Sequence, residues 1–345
     1  MEEVKLKFYT IERCGYFKHG EEGCQLGDIS DILDDLQDWI SGLTLQQTQT
    51  TNILTAATEK LPVYCVGVKK SINDHYLLVT WNKVESNNGS MPSINKDAPI
   101  NTVTTNLEST PLPTGNIPGY ATYFWFIPED NMLATIKLNH IENGHIGMNC
   151  YLKGFLTRFS KYSITVENED DIQSSTLVGY GTEENYDENL HPYFTSKLRR
   201  LAGKTDFIRA KRNDITKLTR KTTISQTVTN NITLYEKLMY EIGLTQPQAL
   251  NDTVELKYEI KTQPNAQELE DIITSWEEDH EQVWDDIGFT IKGLPNPLWL
   301  SSEVPSKNVE LNLTRTNDEF VDFDVLLQEL DNKINIFRGV YNGEE

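Results

Sequence analysis

The chain has 345 residues, 38% of them hydrophobic and 24% charged, a composition that suits a folded globular protein and argues against a disordered one. It has no run of about 18 apolar residues that would serve as a membrane-spanning helix. Fifty-two acidic residues against 31 basic ones give a net charge of −21, which opposes non-specific attraction to nucleic acid or anionic lipid.

Met1-Glu2-Glu3 lacks the basic region and apolar core of a secretory signal, so a cytoplasmic protein is expected. Cys14, Cys24, Cys65 and Cys150 are few and scattered, which fits free thiols in a reducing compartment. Val4, Leu6 and Phe8 alternate with Lys5 and Lys7 and predict a half-buried first strand. Asp28 is placed to cap an amphipathic helix carrying Ile29, Ile32, Leu33, Leu36, Trp39, Ile40 and Leu43, with Gly42 near its end. Leu61 to Val68 and Tyr76 to Trp81 read as two strands joined at Asn73-Asp74. Residues 85–116, rich in Asn, Ser, Thr and Pro, read as a long surface loop or flexible insertion.

The strongest pattern runs from Ile117 to Tyr162. Tyr123 to Ile127 is apolar at every position, as a strand covered on both faces would be, and turn residues lead into a second run, Met132 to Leu138. Met148, Tyr151, Leu152, Phe155, Leu156 and Phe159 then share one helical stripe. Ser163 to Val166 reads as a strand, and the polar stretch 183–189 as a domain boundary. Beyond it, Phe207 to Arg212 and Thr222 to Val228 read as strands, Tyr235 to Ile242 as a short helix, and Val254 to Ile260 as a strand. Leu269 to Trp284 reads as a helix with an acidic outer face, followed by strands at Ile287 to Ile291 and Val309 to Leu313. A final helix carries Phe320, Phe323, Leu327, Leu330, Ile334 and Phe337. The expected class is α+β, with two domains, 1–185 and 190–345, each a mostly antiparallel sheet packed with amphipathic helices.

Few motifs carry chemistry. Gly179-Tyr180-Gly181 has Glu184 where a dinucleotide loop needs its third glycine, so no cofactor is expected. His140, Glu142 and His145 surround a loop, and Cys14, His19 and Cys24 cluster without an evident fourth ligand; neither spacing matches a metal site, and none is expected. Glu255-Leu256-Lys257 and Glu259-Ile260-Lys261 have the E-x-K form of a metal-dependent nuclease, but the partner Asp is missing from an earlier strand, and alternating charge on an exposed strand explains both. The chain is therefore read as not an enzyme.

The electrostatic outlier is a basic segment, 197–221. It holds ten cations (Lys197, Arg199, Arg200, Lys204, Arg209, Lys211, Arg212, Lys217, Arg220 and Lys221) against Asp206 and Asp214. One reading makes it a face neutralised by the protein's own acids, with the acidic helix at 268–281 the obvious partner. The other makes it a phosphate-contacting strip. The acidic helix, with Trp276 and Trp284, admits a further reading as a protein-binding inhibitor or DNA mimic.

The order of elements resembles the RexA-type phage-exclusion proteins and related prokaryotic defence proteins. The likeness runs through Lys5-Leu6-Lys7-Phe8-Tyr9 and its following helix, the pair Ala121 to Ile127 and Met132 to Leu138, and the helix at Met148. It continues through the basic region Phe207 to Lys221, the helix Leu234 to Ile242, and the run Val254 to Lys261 into Glu268 to Ile273. The resemblance implies a cytoplasmic dimer that binds DNA or a nucleoprotein complex without strong sequence preference and signals to a membrane effector. It places the phosphate contacts in the basic segment, foremost at Arg209, Lys211, Arg212, Arg220 and Lys221.

Overall fold

The computed structural model describes residues 1–50, 61–85, 90–94, 107–138, 144–168, 171–182, 184–200, 204–224, 254–279 and 286–343. They form an α+β protein of antiparallel sheets with two compact units: Met1–Leu198 with Ser306–Val340, and Arg199–Pro305 with Tyr341–Gly343. The boundary suggested by composition falls elsewhere: strand 190–198 and the stretch 306–340 both belong to the first unit. No helix among the described residues is long and apolar enough to cross a membrane.

The first unit opens with β1 (Glu2–Lys18), α1 (Ile29–Ile40), β2 (Val63–Lys70) and β3 (Tyr76–Lys83). Next come β4 (Ser90–Ile94), β5 (Leu107–Pro111), β6 (Gly119–Ile127), β7 (Met132–Lys137) and α2 (His145–Arg158). They are followed by β8 (Ser163–Asn168), β9 (Asp171–Thr182), β10 (Asn185–Asp187) and β11 (Leu190–Leu198). The second unit contains α3 (Lys204–Ala210), β12 (Ile215–Ile224), β13 (Val254–Ile260), α4 (Ala266–Asp279), β14 (Asp286–Ile291) and β15 (Leu298–Trp299). The chain then returns to the first unit as β16 (Ser306–Leu311), α5 (Phe323–Asn332) and α6 (Ile334–Asn342).

The main sheet runs β11-β1-β7-β6-β3-β2, with β16 also paired to β1. Its register explains the unbroken apolar run. β6 lies between β7 and β3, and Ala121 to Ile127 are buried without exception. Successive side chains leave opposite faces of the sheet. Tyr123 and Trp125 meet the rings of Phe323 and Phe337 from α5 and α6, while Thr122 lies beneath Gly144 at the start of α2. Helices thus cover both faces, and the expected stripe of α2 is buried at Met148, Tyr151, Leu152, Phe155 and Leu156. The cap of α1 is as read: the Asp28 carboxylate accepts from the Asp31 amide.

Within the expected 85–116 insertion, residues 90–94 and 107–111 pair as the two-stranded β4–β5 sheet. The final helix is two helices. Asp322 caps the first by accepting from the Asp324 and Val325 amides, and the turn at Lys333 separates it from the second. Phe320 lies before the cap, packed on Trp81. The helix expected at Tyr235 to Ile242 lies outside the described residues.

Gly15 is the tightest point of β1. Its φ is +106°, and a Cβ there would fall 1.9 Å from the Gly27 carbonyl oxygen. Gly15→Ala is expected to lower unfolding free energy by at least about 2 kcal/mol, because both the left-handed backbone and the backbone clash act against it. A urea melt checks this; an unchanged midpoint would contradict it.

Candidate nucleic-acid interface

Of the two strands expected here, Phe207 to Arg212 is not formed, whereas Thr222 to Ile224 closes strand β12 and residues 225–228 lie outside the described residues. Phe207 to Ala210 belongs to α3, and Arg212–Asp214 is a 3-10 turn leading into β12. Alternating Phe207, Arg209 and Lys211 imitated a strand, but the charges pair at helical spacing. Arg209 meets Asp206 at 3.1 Å and Lys211 meets Asp214 at 3.4 Å, both three residues apart.

Most of the segment's charge is already engaged. Lys197 lies 3.1 Å from Glu12. Arg199 donates to the Tyr341 carbonyl at 3.1 Å. Arg200 donates to Thr205 and lies over the Trp276 ring. Lys204 opens α3. Arg209 forks onto Glu270 at 2.7 and 3.0 Å, and this hydrogen bonding raises the guanidinium pKa and lowers that of the Glu270 carboxyl. For Arg209 the neutralising reading is therefore the structural one, with the acidic helix α4 as its partner. Arg209→Ala is expected to leave nucleic-acid affinity within about threefold and to cost at most about 1 kcal/mol, since the pair is largely exposed. Filter binding and a thermal melt test both halves.

The second unit's sheet gives the remainder a different setting. Its order is β13-β12-β14-β15. Ile287, Phe289 and Ile291 point to one face and are buried, opposite Arg220, Leu218 and Ile215 of β12. Alternation therefore puts Arg220 on the core-side face, and Lys217, Thr219 and Lys221 on the other. On that second face Lys217 reaches Glu259 at 2.8 Å. Lys221 stands directly opposite the exposed Lys257, and its ammonium lies 4.0 Å from the centroid of the Trp299 ring. On the other flank of Lys221, Asp286 is turned into bonds with Ser301, and burial raises its pKa. Gly288 makes room for the indole: a Cβ there would stand 3.0 Å from ring atoms of Trp299.

Like charges opposite each other on a sheet cost stability unless something anionic meets them. Lys217, Lys221, Lys257 and Trp299 share this face with Glu259, which pairs with Lys217, and with Asp286, which stands opposite Lys221. Like Lys217, Arg209 and Lys211 are paired with carboxylates, and Arg212 donates to Asn213. Lys257 escaped notice because it was read within an E-x-K pattern, and Trp299 because a lone Trp before a short turn has no periodic signal. The charge balance also favours this unit. It carries thirteen Lys or Arg against seventeen Asp or Glu, while the first unit has eighteen against thirty-five.

Other candidates resolve differently. Glu259, from the E-x-K run, is held by Lys217, which lowers its pKa. No group of three or more metal-ligating side chains occurs among the described residues. Cys24 donates to backbone carbonyls, among them that of Cys14. His145 starts α2, stacks on Tyr9 and bonds Ser196; His140 and Glu142 lie outside the described residues. Trp276 is 2% exposed, so it is a core residue rather than part of a protein-binding face, and Trp284 lies outside the described residues. An apolar cavity of about 420 Å³ is lined by Ile40, Leu43, Cys65, Trp81 and Phe320 among others. Its indole N–H is given to the Ile117 carbonyl, and the Thr48 hydroxyl is given to the Leu45 carbonyl and accepts from the Cys65 amide.

The most charged buried cluster lies in the first unit. His75, with its side chain 3% exposed, sits 2.6 Å from Asp331 and 2.7 Å from Glu129. Asn73 also donates to Asp331, while Arg338 binds Glu129 and Asp130. The cluster ties the β2–β3 turn, the turn before β7, α5 and α6 together. It acts as a clamp between these elements.

Compared with known protein families, curated proteins and solved structures, the chain matches none.

Proposed function

We propose that this protein binds nucleic acid, or a nucleoprotein complex, without strong sequence preference, through the Lys217–Lys221–Lys257–Trp299 face of its second unit. The carrying observation is the opposition of Lys221 and Lys257 beside an indole, with the Lys221 ammonium 4.0 Å from the ring centroid. Lysines carried by neighbouring strands can meet the phosphates of a nucleic-acid strand, and an aromatic ring gives a base or sugar something to pack on. Among the described residues the arrangement contains no base-reading set of Asn, Gln or Arg side chains, which is consistent with binding by backbone charge.

The setting we propose is phage defence or exclusion in the cytoplasm, with the protein acting as a dimer that signals to a membrane effector. That part rests on the resemblance of the sequence's order of elements to that of RexA-type proteins. A gel-shift assay tests the binding: Lys221→Ala with Lys257→Ala is expected to weaken it tenfold or more at 100 mM salt. Unchanged affinity in the folded double variant would remove the proposed site.

A further inference from the structure

We infer that β13 is the edge at which two copies of this chain join, pairing strand to strand across a two-fold axis. The inference deepens the dimer of the proposed setting and does not depend on the nucleic-acid reading. Position argues first. β13 ends the sheet β13-β12-β14-β15 and, among the described residues, pairs with β12 alone. Half of the backbone N–H and C=O groups of such a strand turn away from its neighbour and can template a further strand. Lys257, Glu259 and Ile260 are exposed along it.

Charge argues second, and it selects the occupant. Lys257 and Glu259, two residues apart on β13, leave the sheet on the same face. Lys257 makes no ion pair among the described residues. Charged side chains on an edge strand ordinarily deter pairing. A second copy running antiparallel escapes that deterrent when the axis passes through Tyr258. Lys257 then lies opposite Glu259 of the partner subunit, and Glu259 opposite the partner subunit's Lys257. Two opposite-charge cross-strand pairs form at once, because the two-fold repeats every contact. Slipping the axis to Lys257 or to Glu259 sets like charges face to face, so the side chains choose between these registers. Lys217 already reaches one oxygen of the Glu259 carboxylate, at 2.8 Å. A carboxylate accepts at both oxygens, so the partner's lysine adds to that pair rather than displacing it. A foreign strand would need the same alternation of charge in reverse; this chain carries its own complement.

One strand pair is a small interface, so the test is analytical ultracentrifugation of the full chain over a wide range, roughly 5–200 µM, without nucleic acid. The wild type is expected to be dimeric at the upper end. Lys257→Glu alone and Glu259→Lys alone should each weaken association about tenfold or more, since each sets like charges opposite each other twice. An equimolar mixture of the two variants should recover affinity to within about threefold of the wild type, because the two chains then carry opposite charges at both pairs. Chains that had merely lost their fold could not rescue one another. A dimer whose affinity neither variant changes would overturn this interface and leave the proposed dimer standing. So would single losses that mixing does not recover. A wild type that stays monomeric throughout would overturn the interface and the proposed dimer together, while nucleic-acid binding, measured separately, would stand or fall on its own.

Discussion

Replacing His75 with alanine is expected to lower unfolding free energy by about 3–5 kcal/mol near pH 6, the loss typical when one partner of a buried ion pair is removed. Burial disfavours the imidazolium, but hydrogen bonds to Asp331 and Glu129 outweigh it, so the His75 pKa stands above its ordinary value. Burial likewise disfavours the Asp331 carboxylate, and His75 with Asn73 outweighs that and holds its pKa below the usual range. The two shifts set a window. The raised His75 pKa contributes stability that is complete below the unfolded value of about 6.5 and is lost as pH rises through the folded value. The lowered Asp331 pKa contributes stability that is present above about 3.9 and is lost as pH falls through its folded value. The melting temperature should therefore fall on the alkaline side of the window in the wild type, and the difference between wild type and His75→Ala should shrink there. Differential scanning calorimetry from pH 5 to 9 checks this; a constant difference across that range would show that the pair is not held charged.

Trp125 carries the second large effect. It is fully buried at the centre of the sheet, with Phe337 at 5.4 Å and His75 at 5.7 Å between ring centroids. Trp125→Ala should cost about 3–5 kcal/mol through lost burial and the cavity left behind. Trp125→Phe should cost far less than its lost volume suggests. The indole Nε1 has no hydrogen-bond partner among the described residues, and an unpaired buried donor itself costs about 1–3 kcal/mol. Removing it offsets much of the smaller cavity, so a net cost within about 1 kcal/mol is expected. Chemical denaturation of both variants decides the matter: equal costs would mean that the N–H is satisfied, for instance by a buried water.

What could be read in the sequence follows the range over which each interaction acts. β6, β7 and α2 were legible because their periods are complete within a dozen residues, and Asp28 because a cap is a local hydrogen bond. α3 was misread because Phe207, Arg209 and Lys211 alternate like a strand, although the spacing of Asp206 to Arg209 already carried the helical signal. The last helix was read as one because Leu330, Ile334 and Phe337 keep a common stripe across the turn at Lys333. The return of β16 to β1 was invisible, since Val309 pairs with Val4 and nothing local marks so distant a register. The His75 clamp was invisible for the same reason, its carboxylates being 54 and 256 residues away. At the candidate interface the basic segment overlaps the face named in the proposed function. How each cation is partnered depends on pairings across the sheet and with α4, such as Arg209 with Glu270, that composition cannot express.

The most direct test of the proposed nucleic-acid-binding face is the salt dependence of binding to a fluorescein-labelled 20-nucleotide oligothymidylate, followed by fluorescence anisotropy between 50 and 200 mM salt. Affinity should fall steeply with salt, and Lys221→Ala with Lys257→Ala should flatten the slope of log K against log salt by about 1.4, or about 0.7 per lost phosphate contact. Binding whose slope is the same in the wild type and the double variant would contradict the account.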